Sequence, residues 1–160
     1  KILQDIQLEI MAIQQRKIKT MFPVDFLLFK ETLNTELNSE DFLDNDRLGS
    51  IFNQHYQNKS GDKIDINISM SDSIIQEYLS IINNPNISDG LINIDIIKVQ
   101  TYKALYSINN NLDHSLYELN IVLNPNVLIT LIYNGSQNET VLFDFLNEVS
   151  LLTIENYLKK

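Results

Sequence analysis

The sequence predicts an α+β fold: N-terminal helices, an antiparallel sheet of four to five strands, and a C-terminal helix packed on the sheet. Three observations predict it. Residues Ser115 to Tyr133 read as two strands around an Asn124-Pro125-Asn126 turn, with Tyr117, Leu119, Ile121 and Leu123 alternating with Glu118 and Asn120. The first 56 residues carry apolar spacings of three and four, the period of a helix. The last twenty or so return to helical spacing after a turn at Asn134-Gly135.

Taken in order, Lys1 to Thr20 predicts an amphipathic helix. Leu3, Ile6, Ile10 and Ile13 form one stripe, while Arg16, Lys17 and Lys19 gather at the C-terminal end, where cations complement the helix dipole. The stripe is read first as core-facing. Its spacing is also that of two short heptads, fewer than the three or four a coiled coil needs. Pro23 suits the first turn of a second helix over Val24 to Leu37, with Phe26, Leu27, Phe29, Leu33 and Leu37 as its apolar residues. A third, short helix is expected from about Ser39 to Gln54.

The polar loop Gln57 to Asp62 marks the expected boundary within one domain. Residues 1–56 are its helical part and residues 63–160 its mixed α/β part. Lys63 to Ser69 alternates, with Ile64, Ile66 and Ile68 on one face. Ser71 to Ser73 offers helix caps, and Ile75, Tyr78, Leu79 and Ile82 share one helical face until Pro85 stops it. Leu91 to Ile108 reads as one long strand bent near Ile97 to Gln100, with two strands or a short helix as alternatives.

The second strand of the Ser115–Tyr133 pair is apolar on both faces, which predicts a central strand covered on both sides. The C-terminal helix and the N-terminal helices are the expected covers. The C-terminal helix should run from about Glu139 to Leu158 with Leu142, Phe145, Leu146, Val149 and Leu152 as its main face.

Composition narrows the function. The chain has 160 residues, no cysteine, two histidines and a formal net charge of −9. Thiolate chemistry and disulfides are excluded, and a multi-histidine metal site is disfavoured. Acidity argues against nucleic acid and anionic membrane as partners and suits a basic protein partner. No apolar run reaches the ~18 residues of a membrane span, and no secretory signal is read, so a cytoplasmic location is expected. Asn58, Asn67, Asn86, Asn134 and Asn138 match the glycosylation pattern, as chance predicts in so Asn-rich a chain.

No phosphate loop, nucleophile elbow or HExxH motif is present. Asp44, Asp46 and Gly49 match part of a calcium loop, but Leu48 and His55 stand where ligands are needed. His55 and His114 are the two imidazoles available as a general base, and nothing in the sequence places a nucleophile beside either. No cofactor, metal or catalytic residue is assigned. The favoured reading is a non-enzymatic protein-binding chain. It would be a subunit or accessory domain of a larger assembly, with secretion-type chaperones and immunity-type inhibitors in the same class; homo-oligomerisation is compatible with it. Its candidate interface is the Leu3, Ile6, Ile10, Ile13 stripe and the acidic residues Glu40, Asp41, Asp44 and Asp46. The alternative is a small enzyme or ligand-binding domain with a pocket between the sheet and the C-terminal helix.

Overall fold

The computed structural model of the chain describes residues 2–27, 29–31, 50–70, 72–84, 94–110, 115–136 and 140–159. In chain order the elements are α1 (Ile2–Lys19), β1 (Asp25–Phe26), β2 (Phe29–Glu31), β3 (Ser50–Gln57), β4 (Lys63–Ser69) and α2 (Asp72–Asn83). β5 (Ile94–Val99), β6 (Tyr102–Asn110), β7 (Ser115–Asn124), β8 (Val127–Gly135), α3 (Val141–Leu146) and α4 (Leu151–Leu158) follow. The fold is α+β. Its eight strands form one antiparallel sheet in the order β1-β2-β3-β4-β8-β7-β6-β5. Six of the eight are long and two are short, so the sheet is wider than the four to five strands expected.

β8 lies between β4 and β7; one face is covered along its length and the other is covered at Leu128. Val127, Ile129, Leu131 and Tyr133 are fully buried on one face beneath α3, α4 and the end of α1. Leu128 is buried on the other face with Ile75 and Ile82 of α2. The second cover is therefore α2, not the N-terminal helices. Burying each Ile or Leu here contributes roughly 1.5–3 kcal/mol, which makes the β7–β8 pair the centre of folding. Phe145 of α3 anchors the first face, with Phe26 edge-on at 5.4 Å and Tyr56 edge-on at 5.3 Å.

Three expectations are corrected. First, residues 25–26 and 29–31 are strands, not helix. Phe26 and Phe29 face each other across the tight β1–β2 turn and stack at 6.3 Å. A spacing of three fits a helix, but it also fits a two-residue hairpin, which sets i opposite i+3 on one face. The expected third helix likewise ends in strand β3. There Phe52, Gln54 and Tyr56 alternate inward, and the polar Gln54 hides the period of two. The rest of both expected helices lies outside the described residues. Gln57 to Asp62 joins neighbouring strands of one sheet, so the division into a helical 1–56 and a mixed 63–160 does not hold.

Second, residues 94–110 are two strands joined by Gln100-Thr101, both left-handed at φ 49° and 76°. Two consecutive positive φ values define the mirror-image turn that suits strand twist, usually signalled by Asn or Gly. Without those residues the sequence favours one bent strand, and the alternative of two strands is the one the structure adopts. Third, the C-terminal helix is two helices. Ser150 caps α4 by accepting the Thr153 N–H at 3.2 Å, and the break resets the helical phase. Leu152, expected in the core, is 57% exposed, while Leu151, Ile154 and Leu158 are buried.

Candidate functional site

The first candidate is α1. An 18-residue helix is ~27 Å long, and its two halves meet different surroundings. Met11, Gln15 and Ile18 are its buried residues; Ile18 joins the main core and α1 packs on β3. Leu3, Ile6, Ile10 and Ile13 are exposed by 76%, 47%, 60% and 52%. At ~100° per residue, this stripe is centred about 130° around the helix from the docked residues. The core-facing reading of the stripe is thus overturned. Gln15, with its long stem, took a docked position that a hydrophobicity pattern does not mark. Ile2, exposed by 76%, widens the outward stripe.

The second candidate is the α2-side face of the sheet. Where α2 packs over β6 and β7, that face is apolar, with Leu105, Val122 and Leu128. Beyond α2 it turns polar. The register aligns Asn53, Asn67, Thr130 and Asn120 in one row across β3, β4, β8 and β7. The next row holds His55, Asp65, Ile132 and Glu118. Hydrogen bonds knit the rows. Asn67 Nδ2 donates to Asn53 Oδ1 at 2.5 Å and to the Ser50 hydroxyl. Thr130 Oγ1 donates to Asn120 Oδ1 at 2.7 Å, and Asn120 Nδ2 donates to Glu118 Oε2 at 3.2 Å. Tyr78 on α2 has its phenol pKa raised by burial first, then by the charges of Glu118 and Glu77.

His55 Nδ1 and Asp65 Oδ1 are 2.5 Å apart on directly opposed residues of β3 and β4. His55, Tyr56, Gln57, Lys63 and Asp65 line an open depression of about 330 Å³. A carboxylate that fixes an imidazole is the arrangement of a general base. Among the described residues that line the depression there is no serine, threonine or cysteine, and the Tyr56 hydroxyl is donated to the Pro23 carbonyl at 2.5 Å. The arrangement can exchange a proton and offer Lys63 to an anion. No group of three or more metal-ligating side chains occurs among the described residues.

Leu3, Ile6, Ile10 and Ile13 form one continuous exposed stripe, whereas Glu40, Asp41, Asp44, Asp46 and His114 lie outside the described residues. His55 is not the end of a helix but a mid-strand residue paired with Asp65, and sequence reasoning missed that pairing. The alternation of Phe52, Gln54 and Tyr56 was the available signal. Between the sheet and α3–α4, where the alternative reading put a pocket, Phe145 packs against Phe22, Phe26 and Tyr56. Among the described residues no helix is long and apolar enough to cross a membrane.

The geometry defines an α+β chain built on one wide antiparallel sheet. No family model, curated protein or solved structure matches it.

Proposed function

We propose that the chain is a non-enzymatic protein-binding component of a larger assembly, acting in the cytoplasm and engaging its partner through the outward stripe of α1. The observation that carries this is the exposure of Ile2, Leu3, Ile6, Ile10 and Ile13 on a helix already held by a different face. Apolar side chains left 47% to 76% exposed in one line mark an interaction surface. The test is the pair Ile6→Glu with Ile10→Glu. The expected outcome is an unchanged melting temperature together with loss of the chain from its native complex. A variant that unfolds, or a complex of unchanged size, would sink the reading.

A second reading, binding of a small anion, is favoured by the His55–Asp65 depression and its Lys63 rim. Inorganic phosphate should then perturb the His55 ring resonances, and Lys63→Ala should abolish the effect.

A further inference from the structure

Resting on that reading, we propose that the partner of the α1 stripe is the same stripe of a second copy of this chain, running antiparallel. Leu3, Ile6, Ile10 and Ile13 follow each other at spacings of three, four and three, the seam of a two-helix coil. The charges on α1 set the direction. Asp5 and Glu9 occupy its first half, and Arg16, Lys17 and Lys19 its last turns. Two parallel copies would place like charges side by side, whereas two antiparallel copies place the acidic half of each beside the basic half of the other.

One register serves the middle of the seam and the charges together, with Leu3 of each copy at the end of the pair beside Thr20 of the other. Ile10 of each copy packs on Ile13 of the other, and Ile6 lies under the aliphatic stem of Lys17. Glu9 then flanks Arg16 of the second copy, and Gln7 flanks Gln14. Arg16 already has a contact within its own chain; a guanidinium carries five donors and can serve a second carboxylate. Because the docked face of α1 lies about 130° around the helix from the stripe, the described body of each copy sits away from the seam. The seam is only two heptads long, so the dimer is weak and concentration-dependent.

The test is light scattering on the full chain over a concentration series up to ~1 mM, combined with single cysteines in this cysteine-free sequence. The wild-type mass should rise toward that of a dimer, and Ile6→Glu with Ile10→Glu should stay monomeric. Glu9→Arg alone and Arg16→Glu alone should each need at least ~10-fold higher concentration to dimerise, and an equimolar mixture of the two should recover the wild-type response. Under oxidation, Ile10→Cys mixed with Ile13→Cys should yield the mixed disulfide. Same-position disulfides in place of the mixed one would indicate parallel strands and overturn the proposal. A wild-type chain that stays monomeric, or that instead binds phosphatidylcholine vesicles, also overturns it. If that monomer still loses its native complex on stripe substitution, the broader protein-binding reading stands and the self-pairing fails. A dimer that survives Ile6→Glu with Ile10→Glu assembles elsewhere and removes the stripe from both.

Discussion

The side-chain oxygen of Gln100 accepts the backbone N–H of Leu151 at 3.1 Å, across 51 residues of sequence. The same amide donates to the carbonyls of Leu146 and Val149, each at 2.8 Å. A helix leaves carbonyls without partners at its end and N–H groups without partners at its start. Here α3 ends and α4 begins in one corner, and a single side chain from the β5–β6 turn serves both. The left-handed backbone of Gln100 aims it there.

Gln100→Ala should therefore lower stability by about 1–3 kcal/mol, since three backbone groups lose a hydrogen bond and only the Leu146 carbonyl keeps another, from the Val149 N–H at 3.1 Å. Gln100→Glu should do no better, because a carboxylate cannot donate to two carbonyls. The neighbouring Thr101→Gly should act the other way. A β-branched residue at φ 76° is strained, so glycine there should raise stability by about 0.5–1 kcal/mol. Urea denaturation of the variants measures all three.

Two glycines should respond differently to alanine. A Cβ on Gly135 would stand 2.5 Å from both Asp62 Cγ and the Tyr133 hydroxyl. Those atoms are held: Tyr133 donates to Asp62 Oδ2 at 3.3 Å, and the Ser136 N–H donates to Asp62 Oδ1 at 3.3 Å. Gly135→Ala should cost about 2–3 kcal/mol by overpacking and by breaking this clasp. Gly61 has open space around it but sits at φ 89°, so Gly61→Ala should cost only about 1 kcal/mol. Thermal melts would order the two; equal losses would contradict the clasp.

Tyr102 ties the sheet to α4. Its hydroxyl donates to Glu155 Oε1 at 2.8 Å, while Asn124 Nδ2 donates to Oε2 at 3.3 Å. Burial first, then this hydrogen bond and the carboxylate charge, push its pKa from 10.0 up to about 12. Between those values the unfolded chain has lost the proton that the folded chain keeps. The contribution is therefore full below pH 10.0 and is lost as pH rises through about 12. Tyr102→Phe should flatten this part of the alkaline stability profile. Glu155→Gln should move the Tyr102 titration back toward its ordinary range, read by tyrosinate absorbance against Tyr102→Phe.

What was legible in the sequence follows from how regularly each side chain obeyed its element. β4, β7, β8 and α2 alternate or repeat cleanly, and they were read correctly. β1 and β2 were misread because Phe26 and Phe29 satisfy two geometries at once. β3 was misread because a polar Gln54 sits in a core position, where its Nε2 donates to the Tyr56 hydroxyl at 2.7 Å. The α1 stripe was visible, but its direction was not. Periodicity says which side chains share a face and leaves open whether that face meets the core. The His55–Asp65 pair depends on the register of β3 against β4, so misreading β3 as a helix hid it.

The broken C-terminal helix yields a last prediction that separates the two phases. Had α3 and α4 been one helix, Leu152 would continue the Leu142, Phe145, Leu146, Val149 face. With the break at residues 147–150, Ile154 takes the buried position and Leu152 faces out. Ile154→Ala should lose about 2–5 kcal/mol, the range for a buried aliphatic truncation whose cavity does not fully collapse. Leu152→Ala should stay within about 0.5 kcal/mol of the parent. Ser150→Ala should fall between them, at about 1 kcal/mol, by removing the cap from Thr153. If denaturant midpoints ranked Leu152 above Ile154, the α3–α4 corner and the role of Gln100 in it would both be wrong.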